Sequence, residues 1–146
     1  MMPVILYRVS AVVLLLFAGG HQLGFRVVDP SWKADTAVDA MRGVRFPVQG
    51  FQRTYWEFFS GFGFFVTTLL LFSAYFAWSV GGVSADARRM LSPLLWAFAI
   101  AYVVIAILTW RYFFLAPAVL ATLVALLLVI AAASVAMQPS ATASVG

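Results

Sequence analysis

Four stretches of the chain are continuously apolar, at about 4–24, 54–80, 94–113 and 116–137, and the polar residues collect between them or at their ends. Each stretch is close to or above the ~20 residues that a helix needs to cross about 30 Å of hydrocarbon. Strands of a membrane barrel would instead alternate over segments of ~10 residues, so the pattern predicts helices. The expected fold is all-α: a polytopic four-transmembrane-helix bundle, one membrane domain over residues 1–146, with a short amphipathic helix in its first loop. The first apolar run has Arg8 as its one basic residue and continues through Gly19-Gly20-His21-Gln22 to Phe25 without a small-x-small cleavage pattern. It therefore reads as helix 1 rather than as a signal peptide, with Arg8 snorkelling to the headgroups.

The connector 26–53, "RVVDPSWKADTAVDAMRGVRFPVQGFQR", is the one long polar segment. Ser31 after Pro30 is a plausible N-cap, and Ala34, Ala37, Val38 and Met41 share one face, which predicts a surface helix at about 31–42 ended by Gly43. Pro47 and Gly50 then mark an ordered loop that re-enters the interface. Helix 2 spans about 43 Å, longer than the hydrocarbon layer, so its first turns can stand in the interface. Gly81-Gly82 end it, and "VSADARR" makes a tight turn before the Ser92-Pro93 start of helix 3. Pro117 opens helix 4 after a very short link, and the tail at about 138–146 is small, polar and expected to be disordered.

Composition agrees with a bilayer setting, because a chain that is 64% hydrophobic and 10% charged lacks the polar atoms to cover a soluble surface. With no cysteine there are no disulfides, thiolate metal sites or thioether haem attachments, and the single histidine argues against a His-based metal centre. No cofactor and no metal are expected. The formal charge of +4 is spread over loops and helix ends, which suits anionic lipid headgroups and not nucleic acid. Arg8, Arg88 and Arg89 lie on one side, and Arg26, Lys33, Arg42, Arg45, Arg53 and Arg111 on the other, so a positive-inside count puts the connector in the cytoplasm.

In four helices of alternating direction, the end of helix 1, the start of helix 2, the end of helix 3 and the start of helix 4 share one membrane face. His21, Gln22, Arg26, Arg53, Tyr55, Glu57, Trp110 and Arg111 all fall there. Glu57 is costly near hydrocarbon unless paired, and Arg53, one helical turn before it, is a natural partner. Glycines 19, 20, 24, 61 and 63 suggest close approach of helices 1 and 2, which would bring His21 beside Glu57. Two readings of this cluster stay open: an ion-pair network that fixes helix packing, or a polar floor beneath a hydrophobic cavity with His21 and Glu57 exchanging a proton. The phenylalanines of 58–65 equally serve an isoprenoid-type pocket or a lipid-facing belt. "TYWEFF" at 54–59 resembles "TWRYFF" at 109–114, with Thr67 and Thr122 at the same offset, which a duplicated hairpin or two interfacial belts would each explain.

At "GGHQLGF" (19–25) and "MRGVRFPVQGFQRTYWEFFSGFG" (41–63) the sequence resembles a group of small bacterial four-helix integral membrane proteins without an assigned activity. These have a Gly-His near the end of helix 1 and an Arg-x-Tyr-Trp-x-Phe block entering helix 2. The resemblance implies a multi-pass protein of the bacterial inner (plasma) membrane and directs attention to His21, Arg53, Tyr55, Trp56 and Glu57. In size and helix count the chain is also similar to DoxX-like proteins, a similarity of architecture that carries no activity. The first functional reading is binding of a lipid-like or other hydrophobic molecule, or of a partner subunit, at the connector face. There Gln22, Arg53, Tyr55, Trp56 and Arg111 would touch the ligand, with 31–42 as a lid over the His21, Arg53, Glu57 and Arg111 cluster. The alternatives are a small membrane enzyme acting on a lipid or isoprenoid through His21 and Glu57, and a structural subunit of a larger complex or homo-oligomer.

Overall fold

In a bilayer a backbone has no partners but its own, so apolar runs of this length favour helices whose hydrogen bonds are internal. The computed structural model describes residues 1–138. In chain order its elements are α1 (Met2–Gly24), a 3-10 turn (Pro30–Trp32), α2 (Asp35–Gly43), β1 (Phe46–Val48), β2 (Phe51–Arg53), α3 (Tyr55–Gly82), α4 (Ala85–Met90), α5 (Ser92–Tyr112) and α6 (Leu115–Ala136). Among the described residues, the four helices α1, α3, α5 and α6 are long and apolar enough to cross a membrane. The tail expected to be disordered lies outside the described residues from 139 onward.

The buried positions of each long helix recur at alternating steps of three and four. They are Tyr7, Ser10, Leu14 and Phe17 on α1, Leu70, Ala74, Ala77 and Gly81 on α3, Leu95, Ala99, Tyr102, Ala106 and Thr109 on α5, and Ala121, Ala125, Leu128, Ala132 and Val135 on α6. That 3.5-residue period is the seam of left-handed helix packing, and its alanines let backbones approach closely. α1 packs between α3 and α6, and α5 packs on α6. Large side chains close the remaining side: Phe98 of α5 meets Phe76 of α3 edge-on at 5.0 Å and its own neighbour Tyr102 at 5.3 Å. Buried hydroxyls answer to their own helices, as Ser10 to Leu6 O (2.8 Å) and Ser134 to Ile130 O (2.7 Å).

The connector departs from expectation in three ways. Asp29, not Ser31, caps its first turn, accepting from Ser31 N at 2.8 Å; the hydrogen bonds with Ser31 hold this carboxyl below the usual carboxylate range. The predicted helix 31–42 is divided, because Lys33 ends the 3-10 turn in the left-handed region (φ 51°) and α2 starts afresh at Asp35. The expected loop at 44–53 is a β-hairpin, pairing Phe46 with Arg53 and Val48 with Phe51. Gln49 (φ 48°) and Gly50 (φ 87°) form its two-residue turn, and positive φ at both positions is what a type I′ hairpin requires. On the opposite side of the bundle, the expected tight turn at 83–89 contains α4, capped by Ser84 accepting from Ala87 N at 3.3 Å.

Candidate functional site

The start of α3 is set by local chemistry. Thr54 Oγ1 accepts from Glu57 N (3.1 Å) while Glu57 Oε2 accepts from Thr54 N (2.7 Å), a reciprocal capping box that satisfies two backbone donors otherwise left orphaned. Thr54 is buried and Glu57 exposed. Arg53 is the last residue of β2, so it is not one helical turn below Glu57, and the expected ion pair does not form. Its guanidinium instead bonds Gln52 O (3.0 Å) and lies over the Phe51 ring at 5.1 Å. Thr54→Ala should destabilise the protein by about 1 kcal/mol, read as a lower melting midpoint in detergent. Glu57→Gln, which keeps the reciprocal acceptor, should cost less than half of that.

The hairpin and α2 rest on the same turns of α3. Phe46 of β1 lies 4.8 Å from the Tyr55 ring and 6.1 Å from Phe58, and Arg42 of α2 sits over Trp56 at 4.2 Å. α2 is thus held against the first turn of α3 through an arginine on an indole face. Arg111, at the end of α5, lies over its own neighbour Tyr112 at 5.2 Å. The expected lid over a joint His21, Arg53, Glu57 and Arg111 cluster is therefore replaced by separate anchor points.

His21 belongs to a different network. Its Nδ1 is 3.0 Å from Thr67 Oγ1, which also lies 3.1 Å from Gln22 Oε1 and 3.1 Å from Gly63 O. A hydroxyl has one proton, so Thr67 shares it between the two oxygens and His21 donates from Nδ1–H; this tautomer is the one that satisfies the network. The Phe25 ring stacks on the imidazole at 5.0 Å and 7°, then meets Phe59 at 6.1 Å and Phe64 edge-on at 5.6 Å. Gly63 makes room for that ring, since a Cβ there would stand 2.1 Å from Phe25 Cε2. Glycines 19, 20, 24 and 61 serve no such approach, having open space where a Cβ would point. The expected pairing of His21 with Glu57 is thus displaced: Thr67 occupies the first and Thr54 the second.

Arg53 and Glu57 do share one surface. Together with Phe58, Gly61, Phe62 and Phe65 they line a groove of about 300 Å³ along the outer face of α3. Residues 57, 61 and 65 are one helical turn apart, so the groove runs down the helix from a charged mouth onto phenylalanine walls. A second groove of about 300 Å³, between α5 and α6 near Trp110 and Thr122, has no charged residue in its lining. There Trp110 Nε1 donates to Thr122 Oγ1 at 2.9 Å.

No family model, curated protein or solved structure matches this chain. Function therefore rests on the geometry. Among the described residues no three His, Cys, Asp or Glu side chains gather as a metal-binding group. Thr67 was missed as the partner of His21 because a mid-helix threonine in an apolar run carries no signal of its own. The one hint was its shared offset with Thr122, which likewise bonds across a helix pair.

Proposed function

We propose that the chain is a multi-pass protein of the bacterial inner membrane that binds an amphiphile, a lipid-like molecule with a polar head, along the connector end of α3. One observation carries this reading: the α3 groove joins a charged mouth, Arg53 and Glu57, to a wall of three phenylalanines. Such a groove matches a molecule with a polar head at the interface and an apolar body in the hydrocarbon. Gly61 keeps its floor low, and the Phe46, Tyr55 and Phe58 contacts brace its upper rim. The volume is at the small end for ligand sites, which suits one acyl or isoprenoid segment and not a whole diacyl lipid.

The enzyme reading has less behind it. Acid–base exchange needs two titratable groups within hydrogen-bond reach of one reacting atom, whereas His21 bonds Thr67 and Glu57 caps α3. Native mass spectrometry of protein released from its own membrane in mild detergent tests the binding reading. Wild type should retain a small amphiphile, and Arg53→Gln should retain it roughly tenfold less, the loss of about one charge-assisted hydrogen bond. Retention of a protein subunit and no small molecule would instead favour a structural role.

A further inference from the structure

The opposite end of the bundle, independent of the α3 groove, holds more cations than carboxylates among the described residues. Four of the five acidic residues, Asp29, Asp35, Asp39 and Glu57, lie at the connector end, leaving Asp86 as the one carboxylate side chain here, and it pairs with Arg89 at 4.0 Å. Arg8 and Arg88 remain. Arg8 does not snorkel outward as its sequence position suggests. Its guanidinium carbon lies over Trp78 at 3.7 Å from the ring centre and its stem runs over Gly81, where a Cβ would come within 3.0 Å of Arg8 Nε.

Arg88 projects from α4 back into the bundle and is 6% exposed. Its Nη1 donates to Val80 O at 3.3 Å and to Val83 O, occupying the terminal carbonyls of α3. Tyr7 is fully buried, and the positive charge of Arg88 is felt at its hydroxyl. Three donor atoms of these side chains are buried with no hydrogen-bond partner among the described residues: Tyr7 Oη, Arg8 Nη1 and Arg88 Nε. Leaving buried donors of charged groups unpaired is costly, so a site of this kind calls for an acceptor that brings several oxygens and negative charge.

We propose that Tyr7, Arg8 and Arg88 form a binding site for a phosphate group at the end of the bundle opposite the connector. A tetrahedral oxyanion offers enough lone pairs for two guanidinium edges and a hydroxyl. Arginine suits it, because a guanidinium stacked on an indole keeps its in-plane N–H groups free to donate. Trp78 and the close pass over Gly81 and Gly82 hold Arg8 in place.

The experiment compares wild type, Arg8→Gln and Tyr7→Phe, which both leave the Arg88 bonds to α3 intact. Each is held in a maltoside detergent, which carries no phosphate, with and without added phosphatidylglycerol, and separately titrated with inorganic phosphate in the same detergent; melting midpoint and retained adducts are read. Wild type should be stabilised by the phosphate-bearing anion. Its apparent affinity should fall at least about tenfold in Arg8→Gln and by a smaller factor in Tyr7→Phe. A response to phosphatidylglycerol alone identifies a lipid headgroup as the source, and a response to inorganic phosphate identifies a soluble one; either supports the site. If Arg8→Gln does not fold, the wild-type response and its reduction in Tyr7→Phe decide. Wild type indifferent to both anions, or equal responses in wild type and the folded variants, would overturn it.

Discussion

Gly61→Leu is expected to abolish amphiphile retention while leaving the fold intact. Gly61 forms part of the α3 groove, and a Cβ built there meets nothing within 4 Å, so a leucine side chain fills the groove without pushing on the bundle. Replacing a helix-interior glycine by leucine also favours the helix by roughly 0.5–1 kcal/mol. The two effects separate ligand loss from unfolding: retention should drop by more than tenfold as the melting midpoint holds or rises. Equal retention in wild type and Gly61→Leu would place any bound molecule elsewhere.

Leu128→Ala should be the most damaging single change to the bundle, at about 2–5 kcal/mol. Leu128 is 1% exposed at the centre of α6, in the same seam as Ala121, Ala125 and Ala132. In hydrocarbon, burying an apolar side chain gains little from leaving water, so the loss comes from packing contacts that the small neighbours cannot refill. Unfolding in a denaturing detergent titration checks it. Leu126, on the same helix but exposed, is the control: Leu126→Ala should shift the midpoint by a fraction of that amount.

The contrast between Leu126 and Leu128 also shows what the sequence could tell. Four long helices were legible from the apolar runs, each of which is long enough to cross the hydrocarbon of a bilayer. Their inner faces were not, since the exposed faces are as apolar as the buried ones and leave no amphipathic stripe. Only the alternation of alanines with larger residues marks the seam, and it becomes visible once the packing is known. The hairpin at 46–53 was hidden because strands of three residues are too short to show alternation.

At the candidate site, Arg53 and Glu57 were legible as unusual residues and their relation was not. A threonine three residues before a glutamate is also a capping signature, and here it claims the glutamate and begins the helix after Arg53. The reading of glycines as contact points held for Gly63 alone, where the partner is the Phe25 ring. At the other end Tyr7, Arg8 and Arg88 were invisible as a group. Arg88 lies eighty residues after Arg8, and its burial depends on α4 folding back under α3.

The most direct test of amphiphile binding along α3 is photolabelling in native membranes with a diazirine-bearing fatty acid, followed by peptide mapping. The expected result is saturable labelling concentrated in residues 53–65 and suppressed in Gly61→Leu. Labelling spread evenly over the lipid-facing positions of all four long helices, unaffected by Gly61→Leu, would contradict it.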